Sequence, residues 1–218
     1  MAANLSIVKV DSHVRSGTNW LMSLLKRNFY GEIDVSMEID VSASGHWSKI
    51  GRRFGQKYFV DGHDMGNTFV SPFAKLWGTH HMDLSSAGPH VYMVRDLPNV
   101  AMSIWKWKDL LTCGTERISF SDWIRTPLDW YGSPGQLSKE GLLIGEHWKL
   151  HVESHKSSMF IKYEDLEDDE ISELEKIARR FQLPMPEVWV GSDSVGWNPG
   201  SRGHGMSTED VLYLEGFM

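Results

Sequence analysis

Residues 5–25 read LSIVKVDSHVRSGTNWLMSLL, and this stretch decides the fold class. Leu5 to Val10 is a short β-rich run, and Trp20, Leu21, Leu24 and Leu25 recur at helical spacing. Asp11-Ser12-His13-Val14-Arg15-Ser16-Gly17 lies between them, so the order is strand, loop, helix. That order returns further on. His90 to Val94 (HVYMV) reads as a strand, Arg95 and Asp96 follow, and Pro98 stands in the first turn of a helix with Val100, Ala101, Ile104, Trp105 and Leu111 on its apolar stripe. Met159 to Lys162 (MFIK) is a third strand. Asp168 and Asp169 then open a helix whose buried face is Ile171, Leu174, Ile177, Ala178 and Phe181, stopped by Pro184 and Pro186. Strands alternating with helices predict an α/β domain, three layers deep (α/β/α) around a central, mainly parallel sheet.

The remaining segments are less regular. Residues 33–41 (IDVSMEIDV) and 58–60 (YFV) are candidate strands, and 71–77 (SPFAKLW) reads as a short helix with Pro72 in its first turn. Thr126 to Gly141 is rich in Pro and Gly and reads as a loop, with a helix over Leu142 to His155 after it. Trp197 to Gly205 (WNPGSRGHG) is a Gly-rich loop before a helix start at Ser207-Thr208-Glu209-Asp210. At 218 residues, with no internal repeat or linker, the chain is expected to be a single domain, residues 1–218.

Charge and composition narrow the function classes. The net charge is −7, but residues 164–175 (EDLEDDEISELE) hold eight acidic residues, which leaves 29 − 8 = 21 acidic against 22 basic residues elsewhere. The acidity is one helical patch, compatible with an anion site elsewhere on the molecule. Non-specific nucleic-acid binding needs a broad basic face, so no nucleic-acid partner is expected. No run approaches the ~18 apolar residues of a membrane helix, and MAANLSIVKV lacks the pattern of a signal peptide. A lone cysteine, Cys113, suits a reducing compartment. The expectation is a cytoplasmic protein with no membrane partner.

Arg15-Ser16-Gly17-Thr18-Asn19-Trp20 places a cation, a glycine and two small polar residues where a strand hands over to a helix. First-turn N–H groups lack intrahelical partners and the helix dipole favours negative charge, so such a turn accepts phosphate or sulfate. A Walker A loop would need Gly, four residues, then Gly-Lys-Ser/Thr, and that pattern is missing. An ordinary P-loop NTPase is therefore disfavoured. Arg95 leaves a strand with Ser103 about two helical turns later, and a guanidinium fork can match phosphate oxygens.

These residues resemble the sulfotransferases that use 3′-phosphoadenosine 5′-phosphosulfate (PAPS). That family's first motif reads Lys/Arg-Ser-Gly-Thr-Thr/Asn-Trp after its first strand, as do residues 15–20. Arg95 and Ser103 (RDLPNVAMS) resemble its 3′-phosphate pair, and Tyr163-Glu164-Asp165-Leu166 its YEDL, whose tyrosine lies near the adenine. Gly78-Thr79-His80 resembles the Lys-Thr-His that carries the catalytic base. Arg202-Gly203 resembles the loop that closes over the 3′-phosphate, and Ser207-Thr208-Glu209 the residues after it. The matches run from residue 5 to 215 in family order.

The resemblance implies a P-loop-like nucleotide-binding topology and transfer of a sulfuryl group from PAPS to a small-molecule hydroxyl or amine, leaving adenosine 3′,5′-bisphosphate (PAP). It implies a cofactor site of Arg15, Ser16, Gly17, Thr18, Asn19, Trp20, Arg95, Ser103, Tyr163, Arg202 and Gly203, with Arg15 and His80 catalytic. Arg15 stands where lysine is usual and Gly78 where a second lysine is, and the histidine is doubled as His80-His81. Arginine stays protonated, so the role of Arg15 is electrostatic.

Other readings use the same residues. Asp11, His13, Asp61, Asp64 and His80 loosely match the ligand elements of metal-dependent phosphoesterases, although the glycine and asparagine those elements need are missing. A non-catalytic nucleotide-binding module would keep the loops and dispense with His80. His147, His151 and His155 recur every four residues, a spacing open to a divalent ion but more often a polar or packing face. Trp77, Trp105, Trp107, Trp123 and Trp130 are candidates to line an acceptor pocket.

Overall fold

Successive strand residues point to opposite faces of a sheet, so a strand covered on both sides is buried at every position, as Val91, Tyr92 and Met93 are. The computed structural model describes residues 8–13, 15–30, 35–37, 76–79, 90–106, 119–127, 142–192 and 205–218. Strand β1 is Val8–Ser12, followed by helix α1, Thr18–Leu25, which runs into a π-helical turn at Lys26–Tyr30. Strands β2 (Val35–Met37), β3 (Leu76–Thr79) and β4 (Val91–Val94) come next, then α2 (Leu97–Lys106), α3 (Phe120–Ile124) and α4 (Ile144–Ser154). Strand β5 (Met159–Lys162), α5 (Tyr163–Asp168), α6 (Glu170–Phe181) and α7 (Thr208–Glu215) complete the described elements.

The five strands form one parallel sheet in the order β2-β3-β1-β4-β5. Val10 pairs with Gly78 on one side and with Val91 on the other, so β1 is central. The chain leaves β1 for β2 and β3 on one flank and returns for β4 and β5 on the other. Such a reversal opens a crevice at the carboxyl ends of β1 and β4, where open α/β sheets take their ligands.

Each face of the sheet has its own core. On the first, Val8, Val10, Val91, Met93 and Ile161 pack against Trp20, Leu21, Leu24 and Leu25 of α1 and Leu174, Ile177, Ala178 and Phe181 of α6. On the second, Leu97, Val100, Ala101 and Ile104 of α2 pack with Trp123, Ile124, Ile144, Trp148 and Leu214. The three-layer α/β arrangement is thus present as expected.

Local differences have physical reasons. Leu76 and Trp77 belong to β3, although residues 71–77 read as a short helix. A brief apolar run does not distinguish a buried strand from a helix, and residues 71–75 lie outside the described residues. Ile171 is 46% exposed, because the buried face of α6 is completed instead by the stem of Glu173. α6 starts at an Asp169 cap whose side chain accepts from Ser172 N at 3.0 Å, and it ends at Gln182 in the left-handed region, before Pro184. Trp123 is fully buried in the second core, so it is a packing residue and not a lining one. Residues 58–60, Leu111, Trp107 and Trp130 lie outside the described residues. Among the described residues no helix is long and apolar enough to cross a membrane.

Candidate functional site

The loop after β1 is a tight turn. Ser16 N donates to the His13 carbonyl at 3.2 Å, Arg15 has φ 66°, and Gly17 has φ 98°. Gly17 is required twice over. Its φ suits only glycine well, and a Cβ there would lie 2.8 Å from both Met93 Cε and Tyr163 Cδ2. The Gly17 carbonyl accepts from Trp20 N (2.9 Å) and Leu21 N (3.1 Å), and no side chain caps this end of α1. The first-turn N–H groups therefore face the loop.

Three chain-distant residues meet this loop. Arg15 Nε donates to Ser103 Oγ on α2 at 3.0 Å. Arg95, immediately after β4, is buried and lays its guanidinium 4.1 Å from the centre of the Tyr163 ring, the residue immediately after β5. Arg95 Nη1 points to the Arg15 carbonyl at 3.5 Å. Trp20 meets the same tyrosine edge-on, its ring centre 5.0 Å away, and its Nε1 donates to Ser192 Oγ at 2.7 Å. Glu170 holds Ser192 in place, accepting from its N–H at 2.8 Å and from its hydroxyl.

The electrostatics favour an anion. Loss of surrounding water, and then the like charge of Arg95, hold the Arg15 guanidinium below its ordinary value. Part of the Arg15 residue still reaches solvent. Burial pushes the nearby Glu164 carboxyl up, with the charge of Asp96 adding to the effect and that of Arg95 opposing it. Among the described residues, Arg95 Nε and Nη2, Ser16 Oγ and Tyr163 OH around the turn are buried without a hydrogen-bond partner, as are Glu164 Oε1 and Trp123 Nε1. Four unsatisfied polar atoms around one glycine turn are costly unless a ligand completes them, and two of them are charged donors.

Of the residues singled out in the sequence, Arg15, Ser16, Gly17, Thr18, Trp20, Arg95, Ser103 and Tyr163 converge at this edge of the sheet. Asn19 lies in the first turn of α1. Thr79 ends β3. His80, His81, Arg202, Gly203, Asp61 and Asp64 lie outside the described residues. Ser103, open to reading as a solvated helix position, is buried against the loop.

Asp11 and His13 are engaged inside the fold. His13 Nε2 and His147 Nδ1 are 2.8 Å apart, one donating and the other accepting. Burial, and then the Asp11 charge, push the Tyr92 phenol well above its ordinary value, and its OH shares a hydrogen bond with His151 Nδ1 at 2.7 Å. His155 Nε2 lies 2.9 Å from Asp11 Oδ2, and Asp11 Oδ1 accepts from Ser12 N at 2.7 Å. The i, i+4 histidines of α4 thus each bind the sheet or its β1 loop. Their spacing showed a shared face; their individual partners required the packed sheet.

Sequence reasoning singled out His147 only for its i, i+4 spacing and missed Trp148. His147 and Trp148, adjacent on α4, bond respectively to His13 and to the Arg95 carbonyl, the latter at 3.2 Å. Trp148 carried no signal beyond its residue type.

No protein-family model matches the sequence, and no curated protein matches it. Solved structures do. The structure is similar to a mouse sulfotransferase, SULT7A1, crystallised with PAP, at 19% identity and a TM-score of 0.50, over 84% of this chain and 60% of that one. It also matches the sulfotransferase domain of the curacin biosynthetic pathway (12% identity, TM-score 0.45, 84% of this chain and 76% of that one). A third match is a sulfotransferase from Alicyclobacillus acidocaldarius (11% identity, TM-score 0.44, 87% of each chain). The chain spans less than two thirds of the mouse enzyme's length. Taken with the sheet order and the glycine turn after β1, the likeness to the mouse enzyme shows that this chain has the sulfotransferase fold.

Proposed function

We propose that the chain transfers a sulfuryl group from PAPS to a hydroxyl or amine of a small molecule, releasing PAP. The observation that carries this reading is the buried Arg95 guanidinium, with Nε and Nη2 unpartnered, beside the equally unsatisfied Ser16 Oγ and Tyr163 OH. These groups fit a ligand with more than one phosphate and a flat ring. The mouse enzyme of the same fold was crystallised with PAP.

In this reading the first-turn N–H groups, with Ser16, Gly17, Thr18 and Asn19, hold the 5′-phosphosulfate. Arg95, Ser103, Arg202 and Gly203 hold the 3′-phosphate. Tyr163, backed by Trp20, borders the adenine. The bound nucleotide supplies the sulfuryl group, and the chain supplies position and charge in an in-line displacement. Arg15 and the helix-terminal N–H groups meet the charge that develops on the leaving phosphate. His80, one residue beyond the end of β3, takes the proton of the attacking hydroxyl, with His81 as the neighbouring candidate.

The test is ligand-dependent melting. At ~100 times its dissociation constant, PAP adds about 2.7 kcal/mol of stability. 5′-AMP at the same concentration gives a much smaller shift. Equal shifts from the two nucleotides would remove the 3′-phosphate site.

A further inference from the structure

His147 and Trp148 are neighbours on α4, and each reaches a different arginine-bearing loop. His147 Nδ1 is 2.8 Å from His13 Nε2, and the His13 carbonyl takes the Ser16 N–H that closes the loop around Arg15. Trp148 Nε1 donates to the Arg95 carbonyl at 3.2 Å, at the junction of β4 and α2. Successive helical residues point about 100° apart, so one turn of one helix spans the crevice between the two strands.

α4 is itself firmly seated. Ile144 and Trp148 belong to the second core, with α2 and Leu214. Gly145 lies so close to the Phe217 ring that a Cβ would meet it at 2.4 Å. Further along, His151 and His155 bond to Tyr92 and Asp11. A helix fixed to both β1 and β4, with adjacent side chains holding the two loops that leave those strands, sets how far apart the loops stand.

We infer that His147 and Trp148 are positioning residues that fix the separation of the Arg15 and Arg95 loops, and so select a nucleotide with two phosphates over one with a single phosphate. The inference rests on the nucleotide reading above. Both residues are buried, at 3% and 6% exposure, so they act through His13 and the Arg95 backbone. Their effect falls on the ratio of two affinities. A role in stability alone would weaken both ligands alike.

The experiment is titration calorimetry of PAP and 5′-AMP against the full chain and the variants Trp148→Phe, His147→Leu and His147→Asn. Trp148→Phe keeps an aromatic ring in the core and removes the N–H. It and His147→Leu are expected to lower the PAP to 5′-AMP affinity ratio roughly tenfold, the worth of about one hydrogen bond, with 5′-AMP binding within about twofold of wild type. His147→Asn places an amide atom near the site of Nδ1 and is expected to restore most of the ratio. Should His147→Leu fail to fold, Trp148→Phe decides alone. An unchanged ratio in Trp148→Phe, or equal weakening of both nucleotides, overturns the inference while the nucleotide reading stands. A wild-type chain that does not prefer PAP overturns both.

Discussion

Arg15 Nε donates to Ser103 Oγ at 3.0 Å, so the loop after β1 and the middle of α2 share one hydrogen bond beside the buried Arg95. The bond fixes the plane of a guanidinium held close to a like charge. Ser103→Ala is expected to weaken PAP binding roughly tenfold with little change in melting temperature, because Arg15 reaches water. Calorimetry alongside a thermal melt checks both halves. A large loss of stability would make Ser103 a structural residue instead.

Gly17→Ala tests the turn itself. The substitution forces a Cβ into φ 98° and to 2.8 Å from Met93 Cε and Tyr163 Cδ2, the second of which belongs to the ring under Arg95. Backbone strain and overpacking together should cost about 2 kcal/mol or more. PAP binding should fall further than stability does, since Tyr163 must move. Denaturant unfolding and a PAP titration measure the two effects.

How much of this was legible before folding differs by residue. Arg15 to Trp20 was readable because a glycine turn between a strand and a helix has few uses, and Arg95 because it leaves a clear strand. β3 was misread: Leu76 and Trp77 sit in an inner strand that pairs with β1 on one side and β2 on the other, and inner strands lose the alternation that marks a half-exposed one. Ile171 fits the helical period of α6 yet is exposed, because the period gives a stripe and the docking angle decides its edge. Ser103 was singled out by its spacing from Arg95, whereas the partners of His147 and Trp148 lie 134 and 53 positions away, and no local pattern encodes those.

Asp11 separates a structural role from ligation of a metal. Its carboxyl and the His155 ring are fully buried, 2.9 Å apart, while His155 Nδ1 faces the His151 carbonyl at 2.7 Å. Breaking a buried pair by removing one partner leaves the other uncompensated. Asp11→Ala should therefore destabilise the protein by about 3–5 kcal/mol. The loss should be the same with and without EDTA in urea unfolding. A wild-type protein destabilised by EDTA to the level of the variant would instead make Asp11 a metal ligand.

Asp210 ties α7 to α3 and gives the fold an acid-sensitive joint. Burial raises its carboxyl, but hydrogen bonds from Arg125, Ser121 and Ser207, and the Arg125 charge, outweigh that and hold it below the ordinary aspartate value. The three donors lie at 2.6, 2.8 and 2.8 Å. A depressed folded value means the stabilisation is present above the unfolded value, about 4, and is lost as pH falls through the folded one. Asp210→Asn should cost about 2 kcal/mol at neutral pH, and the gap from wild type should close in acid. Urea melts at several pH values give the curve; a gap that stays constant or widens in acid would contradict the assignment.

Following the label from PAPS tests the central claim most directly. The protein is chelated exhaustively and incubated with PAPS carrying radiolabelled sulfate and a panel of phenols, sterol-like alcohols, amines and sugars, and the products are separated. Transfer through Arg15, the α1 N-terminus and His80 predicts a labelled acceptor and an equal amount of PAP, with Arg15→Ala slower by roughly a hundredfold or more. The account is contradicted if chelation abolishes all turnover, added metal restores it, and the product is free phosphate with no labelled acceptor.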